Sequence, residues 1–273
     1  MTAGTPPVVL IFAGSDPTGG AGIAADCLTL ASLGCHPAPV VTAVTAQDTT
    51  GIKQFACVET ELVIAQARAV LEDMPVAAFK IGMLGNTATV SAVASIIEDY
   101  PDIPLVVDPV QLSDRGAALA EEPLDDALRT LLLPRATLAT PNSREARALA
   151  PGADTLDACA QELMSLGCEY VLITGTHEPT PQVVNRLYGH RRLLETFTFE
   201  RLPGDYHGSG CTLASACAGA LAHGLEPIEA VREALHYTWN TLKHGLRLGM
   251  GQYLPDRIYW GGGPVARPKP DEK

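Results

Sequence analysis

The sequence Val8-Val9-Leu10-Ile11-Phe12-Ala13 is continuously apolar and stops at Gly14. An apolar run of this length without alternation is typical of a parallel strand that is buried on both faces. A loop rich in glycine follows, from residue 14 to residue 22, and residues 23–33 then predict a helix that Gly34 ends. A strand, a short loop and a helix in this order form the first unit of an α/β fold.

The same alternation continues along the chain. Strands are predicted at residues 40–46, 78–83, 105–107, 136–140 and 170–174, and helices with one apolar face at 63–74, 86–97, 124–132 and 156–163. A hairpin is predicted over 185–199, with Gly189 to Arg192 as its turn, and helices at 210–223 and 226–247 follow it. These units predict a mostly parallel central sheet with helices on both faces. We expect a single domain over residues 1–260 and a loose tail over 261–273.

The composition excludes several classes of protein. A net charge of −12 argues against nucleic acid as a partner, although a small phosphate needs only local amides, a metal ion or one cation. Seven cysteines without a Cys-x-x-Cys pair or zinc spacing fit reduced thiols in a cytoplasmic protein. Met1 is not followed by a basic segment, so no signal peptide is expected. No apolar run is long enough for a transmembrane helix, so no membrane partner is expected either.

Polar and glycine-rich residues follow the predicted strands at their carboxyl ends. They are residues 14–16, 47–48, 82–83, 108–109, 142 and 175–176. In open α/β sheets, ligands bind outside the carboxyl ends of the strands. The sequence therefore predicts a ligand site at one edge of the sheet, which residues 208–211 are placed to close.

The residues Gly208-Ser209-Gly210-Cys211, called the anion loop below, precede a run of small residues that predicts a buried helix. Two glycines around a serine let successive N–H groups point the same way, and the helix N-terminus adds a positive field. This pattern predicts a site for an anion the size of a phosphate. The same field is expected to lower the pKa of the Cys211 thiol, which makes it a candidate reactive group. Two other interpretations stay open: a glycine-rich entry to a core helix, and a Cys–His nucleophile pair with His207.

Residues 14–22, called the glycine loop below, match neither of two common nucleotide motifs. The glycine loop lacks the Gly-Lys-Ser/Thr of a P-loop and the Gly-x-Gly-x-x-Gly of a dinucleotide-binding loop. It predicts a small-residue loop beside a ligand, with Asp16 or Asp26 as polar contacts. The alternative is a plain turn between a strand and a helix.

Further polar residues suit a ligand as well as a structural role. Asn142 and Glu145 lie three apart on one helical face and suit Mg²⁺ held through water, but the same spacing is a capping box, which spacing alone favours. Asp108 precedes Pro109 at a strand end, where its carboxylate can hold metal or water or cap a loop. The side-chain amide of Gln47 offers a hydrogen-bond donor and an acceptor, which suit the polar edge of a heterocycle. A glutamine in a loop exposed to solvent is the alternative.

Six segments carry a resemblance to a known family. They are Ala13-Gly14-Ser15-Asp16-Pro17-Thr18-Gly19-Gly20-Ala21-Gly22-Ile23-Ala24-Ala25-Asp26, Val41-Thr42-Ala43-Val44-Thr45-Ala46-Gln47-Asp48-Thr49, Lys80-Ile81-Gly82-Met83-Leu84, Val107-Asp108-Pro109-Val110, Thr140-Pro141-Asn142-Ser143-Arg144-Glu145-Ala146 and His207-Gly208-Ser209-Gly210-Cys211-Thr212-Leu213. Together they resemble the hydroxymethylpyrimidine and phosphomethylpyrimidine kinases of thiamine biosynthesis, within the ribokinase-like superfamily. Each motif alone is weak, but all six occur in family order, and the likeness runs from about residue 7 to residue 255.

The resemblance implies a ribokinase-like three-layer fold and phosphoryl transfer from ATP with Mg²⁺. The implied substrates are 4-amino-5-hydroxymethyl-2-methylpyrimidine and then its monophosphate, and the implied protein is a cytoplasmic homodimer. Cys211 takes the place that an aspartate base has in the wider superfamily, and the resemblance implies that the amides of Gly208, Ser209, Gly210 and Cys211 stabilise the transferring phosphoryl group. If Cys211 acts as the base, its replacement by alanine should slow the first transfer by about 10²-fold and the second less.

The resemblance also assigns the remaining site residues. Gln47 contacts the polar edge of the pyrimidine, and Gly14, Ala21, Thr45, Met83 and Val110 complete that pocket. Asn142 and Glu145 organise Mg²⁺ and the phosphates, which favours the metal role over the cap, and Asp108 assists the metal. Thr174 and Gly175 lie at the nucleotide phosphates.

Two segments depart from the family pattern. Many members carry Lys-Gly-Gly-His near the nucleotide phosphates, where this chain has Thr174-Gly175-Thr176-His177. After Asp-Pro-Val many have Met and then Lys-Ser-Gly, where this chain has Gln111-Leu112-Ser113-Asp114-Arg115-Gly116, so Arg115 is a candidate replacement for the lysine. Two alternative functions remain, a pyridoxal kinase and a non-catalytic pyrimidine-binding protein.

Overall fold

The structure is a computed structural model that describes residues 4–110 and 120–261. Its strands are β1 Val8–Ser15, β2 His36–Asp48, β3 Gly51–Cys57, β4 Val76–Ile81, β5 Leu105–Val107, β6 Leu138–Ala139, β7 Tyr170–Ile173, β8 Gln182–Gly189 and β9 Arg192–Glu200. They form one sheet in the order β3-β2-β1-β4-β5-β6-β7-β8-β9. Neighbours from β2 to β7 pair in parallel, while β3, β8 and β9 pair antiparallel at the two edges. The predicted mostly parallel sheet is confirmed.

Helices cover both faces of the sheet. They are α1 Gly22–Ser32, α2 Thr60–Asp73, α3 Thr87–Glu98, α4 Asp125–Ala127, α5 Ser143–Leu149, α6 Leu156–Ser165, α7 Ser209–Ala222 and α8 Pro227–Lys243. Alternate residues of β1 point to opposite faces, so Leu10 and Phe12 pack in one core with α2, α3, α5 and α6. Val9 and Ile11 pack in the other core with α1, α7 and α8. The fold therefore has three layers, as the sequence predicts.

Local signals in the sequence explain several element boundaries. The side chain of Asn86 accepts a hydrogen bond from the N–H of Thr89 at 2.9 Å and caps α3, as expected from the sequence. Gly34 has a φ of +78° just after α1, a left-handed conformation that glycine adopts without a steric penalty. His190 and Arg191 also have positive φ values, 50° and 58°, in the predicted turn between β8 and β9.

The structure differs from the predicted elements in two places. The helix expected over 124–132 is a short α4, a π-helical turn Leu128–Leu132 and a 3₁₀ turn Leu133–Arg135, because Pro134 has no N–H with which to continue an α-helix. Leu128 and Leu132 are nevertheless buried, so the predicted apolar face of this segment is confirmed at these two residues. Strand β3 was not predicted from the sequence. It pairs antiparallel with β2, which is longer than predicted, and the two strands form a hairpin at one edge of the sheet.

The strand order places a crevice beside β1. The chain leaves β1 towards β2 on one side, and the later strands β4 to β7 follow on the other side. Ligand sites of open α/β sheets lie at such a switch in direction, outside the carboxyl ends of the strands. Within the described ranges, no helix combines the length and apolar character needed to cross a bilayer.

Candidate active site

A cavity of about 920 Å³ opens at the carboxyl ends of the parallel strands. Of the site residues expected from the sequence, those that line it are Gly14, Ala21, Thr45, Gln47, Met83, Asp108, Val110, Asn142, Glu145, Thr174, Gly208, Ser209, Gly210 and Cys211. Residues far apart in the chain are therefore brought to one place. Arg115 lies outside the described residues, as do the others of segment 111–116.

Gly175 is an expected site residue that is not part of the cavity wall. Its N–H donates a hydrogen bond to Oδ1 of Asn185 at 3.1 Å. A Cβ at this position would lie 2.1 Å from the carbonyl oxygen of Val184, so glycine is required by the close approach of β8. The structure gives Gly175 a packing role, and its part in nucleotide binding stays a prediction.

The anion loop forms the start of α7. Gly208 is the residue before the helix and has a φ of 79°, and a Cβ there would lie 1.9 Å from the carbonyl oxygen of Gly20. Ser209, Gly210 and Cys211 occupy the first turn, where N–H groups have no partner within the helix. With the field of a 14-residue helix behind them, these amides suit a phosphate group.

The carboxylate of Asp16 accepts hydrogen bonds from other residues of the glycine loop and so fixes the conformation of that loop. It accepts them from the N–H and hydroxyl of Thr18 at 2.8 and 2.9 Å and from the N–H of Ala21 at 2.8 Å. It also pairs with Nε2 of His207 at 2.9 Å. Burial raises the pKa of Asp16, but the hydrogen bonds from His207, Thr18 and Ala21 outweigh it and lower that pKa overall. His207 is thus placed against Asp16, which does not support the Cys–His pair considered from the sequence.

The expected low pKa of Cys211 is wrong. Cys211 reaches the cavity wall, but burial of its thiol raises the pKa to about 12. The charge of Lys80 lowers this pKa, while the carboxylates of Asp108 and Asp26 raise it further. Desolvation is therefore the largest influence on this pKa, and the thiol is protonated near neutral pH.

A buried ion pair lies behind Cys211 and was missed from the sequence. Nζ of Lys80 on β4 lies 3.0 Å from Oδ2 of Asp26 on α1, and both side chains are 0% exposed. The hydroxyl of Ser215 on α7 donates to Oδ1 of Asp26 at 2.7 Å. Asp26 therefore joins three elements and does not face the ligand. The available signal was a lysine inside an apolar strand, because a charge there requires a partner.

The capping box at Asn142 is confirmed. The side chain of Asn142 accepts hydrogen bonds from the N–H groups of Arg144 and Glu145, and Oε2 of Glu145 accepts one from the N–H of Asn142 at 2.8 Å. Asp108 is 3% exposed at the cavity wall. No cluster of three or more His, Cys, Asp or Glu side chains suited to a metal occurs in the described ranges.

The wall beneath Gln47 is apolar. Ala43 and Met83 are buried together, and Ile52, Phe55 and Val110 pack against them. A Cβ on Gly14 would lie 2.8 Å from the sulfur of Met83, so the strand approaches that side chain closely. The hydroxyl of Thr45 donates to the carbonyl oxygen of Ser15 at 2.9 Å and fixes β2 beside β1. The cavity thus combines an apolar wall with Gln47, a polar residue on the hairpin of β2 and β3.

The opposite end of the cavity contains residues that the sequence analysis did not single out. Arg201 lines it and donates hydrogen bonds to the carbonyl oxygens of Thr176 at 2.8 Å, Glu178 at 3.0 Å and Thr180 at 3.1 Å. Asn185 also lines it and is 4% exposed. No motif marks these two residues, because their partners are set by the pairing of β8 and β9.

The three-layer fold with an amide-lined anion loop at the mouth of its sheet defines a kinase of the ribokinase-like class. A family model described as phosphomethylpyrimidine kinase matches residues 16–256. The chain therefore belongs to the phosphomethylpyrimidine kinase family.

Relatives with curated descriptions agree with this family. The hydroxymethylpyrimidine/phosphomethylpyrimidine kinase of Mycobacterium tuberculosis is 42% identical over 254 residues, covering 90% of this chain and 92% of that protein. Among solved structures, phosphomethylpyrimidine kinase from Clostridium difficile is 33% identical with a TM-score of 0.75, covering 87% of this chain and 99% of that one. Pyridoxal kinase from Staphylococcus aureus in complex with AMP-PCP is 26% identical with a TM-score of 0.86, covering 94% and 96%.

Proposed function

We propose that this protein uses ATP to phosphorylate 4-amino-5-hydroxymethyl-2-methylpyrimidine and then its monophosphate, giving the diphosphate for thiamine biosynthesis. The observation that carries the proposal is one cavity that contains both an apolar wall with Gln47 and the anion loop. The relatives from Mycobacterium tuberculosis and Synechococcus elongatus, 42% and 39% identical, are named for both phosphorylations.

The proposed mechanism is mainly positioning and charge stabilisation. Phosphoryl transfer leaves little covalent chemistry to the protein, so the N–H groups of Ser209, Gly210 and Cys211 supply the principal stabilisation of the transferring group. With a pKa raised to about 12, the Cys211 thiol donates a hydrogen bond at the acceptor and is not the base in its resting state. The second transfer has an ionised phosphate as its acceptor and needs no base.

We also infer that Mg²⁺ accompanies ATP. When bound, Mg²⁺ neutralises charge on the phosphates of the nucleotide. The residues present fit an ion held mostly by phosphates and water, since Asp108 and Glu145 supply carboxylates at the cavity wall without forming an all-protein cage. Glu145 would act through water, because one of its oxygens accepts the capping hydrogen bond from Asn142.

Pyridoxal phosphorylation is the second candidate function. The observation that favours it is the likeness to pyridoxal kinases, which include a Staphylococcus aureus structure in complex with pyridoxal at a TM-score of 0.85 and 26% identity. The apolar wall below Gln47 accepts a six-membered ring of either kind.

A product assay resolved by mass tests both candidates. The protein is incubated with ATP, Mg²⁺ and the hydroxymethylpyrimidine, with pyridoxal in a parallel reaction and with Mg²⁺ omitted in a third. Successive monophosphate and diphosphate products are expected from the pyrimidine. Monophosphate alone would restrict the proposal to the first transfer, and a higher kcat/KM for pyridoxal would replace it. Absence of turnover with either acceptor in folded protein rejects a kinase function and leaves a binding protein.

A further inference from the structure

Arg257 is a charged residue buried behind the anion loop. Its side chain belongs to the segment after α8 and is only 3% exposed. The guanidinium donates three hydrogen bonds: from Nε to the hydroxyl oxygen of Thr212 at 3.1 Å, from Nη1 to the carbonyl of Gly19 at 3.2 Å, and from Nη2 to the carbonyl of Gly20 at 2.5 Å. Arg257 therefore joins the glycine loop to the first turn of α7.

The carbonyl of Gly20 lies between Arg257 and the anion loop. The same oxygen that accepts from Nη2 of Arg257 would be 1.9 Å from a Cβ on Gly208, so the two backbones are in close contact. Thr212, the other partner, donates from its hydroxyl to the carbonyl of Gly208 at 2.8 Å. Arg257 is thus connected to Gly208 in two ways. One is the Gly20 carbonyl that packs against Gly208, and the other is the Thr212 hydroxyl that donates to the carbonyl of Gly208.

The backbone around Arg257 is itself fixed. The N–H of Asp256 donates to the carbonyl of Thr241 at 3.0 Å, and the hydroxyl of Tyr237 donates to the carbonyl of Arg257 at 3.0 Å. Because α8 holds the residue on both sides of its Cα, the guanidinium has little freedom to move away from the glycine loop. Its three named acceptors are neutral oxygens, and no carboxylate of the described ranges lies within ion-pair distance of Arg257. Burial lowers the pKa of Arg257, while the nearby acidic groups, including the carboxylates of Asp26 and Asp16, oppose that shift and stabilise its charge.

We propose that Arg257 is a positioning residue for phosphoryl transfer. By holding the carbonyl of Gly20 and the hydroxyl of Thr212, it sets the place of Gly208 and of the amides that follow. Arg257 does not touch the substrate. The proposal rests on the proposed function, because it assigns the anion loop to the transferring phosphoryl group.

Kinetics of matched variants test the proposal. Arg257→Met removes the donors and the charge while keeping much of the apolar stem, and Arg257→Lys keeps the charge. Thr212→Val removes one acceptor with nearly the same shape. The control is Arg232→Met on the exposed face of α8, where Arg232 pairs with Glu229 and Glu195. For each variant, kcat, KM for ATP and KM for the acceptor are measured, together with hydrogen exchange of the amides in residues 16–22.

Arg257→Met should lower kcat by about tenfold or more, which equals about 1.4 kcal/mol, while KM for ATP changes by less than about twofold. Arg257→Lys should recover part of kcat, and Thr212→Val should lower it by about threefold. The amides of 16–22 should exchange faster in Arg257→Met than in Arg232→Met. A kcat equal to that of the control, or unchanged exchange in folded protein, would overturn the proposal.

Two further comparisons cover an Arg257→Met variant that does not fold and a wild-type protein without kinase turnover. If Arg257→Met does not fold, Arg257→Lys and Thr212→Val are compared with wild type, and unchanged kcat and exchange in both of them overturns the proposal. If wild-type protein has no kinase turnover, the proposed function has failed, and the exchange measurement still reports whether Arg257 holds the glycine loop.

Discussion

The two ends of the cavity differ in how deeply their charges are buried. Beneath the end formed by the glycine loop and the anion loop, Lys80 and Asp26 are 0% exposed and Arg257 is 3% exposed. Near Arg201 at the other end, the Arg147–Glu178 pair has side chains that are 48% and 29% exposed. A buried charge is costly without its partner, whereas an exposed one exchanges its partner for water at little cost.

Each end also contains an arginine that holds main-chain carbonyls. Arg257 donates to carbonyls of the glycine loop from a buried position, and Arg201 donates to three carbonyls of residues 176–180 at the surface of the cavity. Thr174, where many members have lysine, lies at the end of Arg201 and forms a backbone bridge with Asn142.

The largest effect is expected for Lys80→Met. The substitution leaves the carboxylate of Asp26 buried with only Ser215 as a named partner, so the free energy of unfolding should fall by about 3–5 kcal/mol. Urea denaturation measures it. The double variant Lys80→Met, Asp26→Asn should be more stable than Lys80→Met alone. Equal losses in the single and double variants would show that the ion pair is not the cause.

Asp16→Asn should destabilise the protein by about 2 kcal/mol, because a buried acceptor of four hydrogen bonds loses its charge. The pKa of Asp16 is lowered in the folded protein, so its contribution is present above the unfolded value, about 3.9, and is lost as pH falls through the lower folded value. The difference between wild type and variant, measured by denaturation from pH 7 down to pH 3, should therefore shrink only at the acid end. A difference that is constant over this range contradicts the assignment.

Cys211→Ala should lower kcat by less than about tenfold and to the same extent in both transfers. This revises the larger loss expected if Cys211 acts as a base, because burial raises the pKa of its thiol to about 12. The rate of the first transfer between pH 6 and 9 should show no inflection that Cys211→Ala removes. A loss of about 10²-fold confined to the first transfer would restore the role of base.

The substitution Glu145→Gln distinguishes the helix-capping role of Glu145 from its proposed role in supporting Mg²⁺. The amide oxygen of glutamine can still accept the hydrogen bond from the N–H of Asn142, so stability should change by less than about 0.5 kcal/mol. If the carboxylate supports Mg²⁺, the Mg²⁺ concentration for half-maximal activity should rise about threefold. The matched variant Glu145→Ala loses the hydrogen bond as well and should also be less stable. An unchanged Mg²⁺ requirement in Glu145→Gln would assign Glu145 to the cap alone.

The smallest effect is expected for Thr174→Lys at the exposed end. Adding the cation that many family members have should lower KM for ATP by about threefold, because a partly solvated charge contributes little. The KM for the acceptor should not change, since Thr174 lies away from the wall below Gln47. Steady-state kinetics with each substrate varied in turn measure both values. A change in acceptor KM instead would mean that the two ends are not independent.

The fold and most of the site follow from local sequence signals. The apolar run at residues 8–13, the helical spacing and the glycines at turns predicted strands and helices of the right type, because these patterns depend only on the period of each element. Strand β3 was missed, and so was the break in the helix over 124–132. Both depend on how a segment packs against neighbours that the local pattern does not contain.

The sequence by itself determined the order of layers, the place of the ligand site and the six motifs that identify the family. Only the tertiary structure decided which polar groups pair with the buried charges. Lys80 contacts Asp26 from 54 positions away, Ser215 donates to Asp26 from 189 positions away, and Arg257 donates to Gly20 from 237 positions away. It also decided the direction of the pKa shift at Cys211, which burial raises. The physical reason is that desolvation and Coulomb interactions depend on distances in space, which the spacing of residues along a chain does not contain.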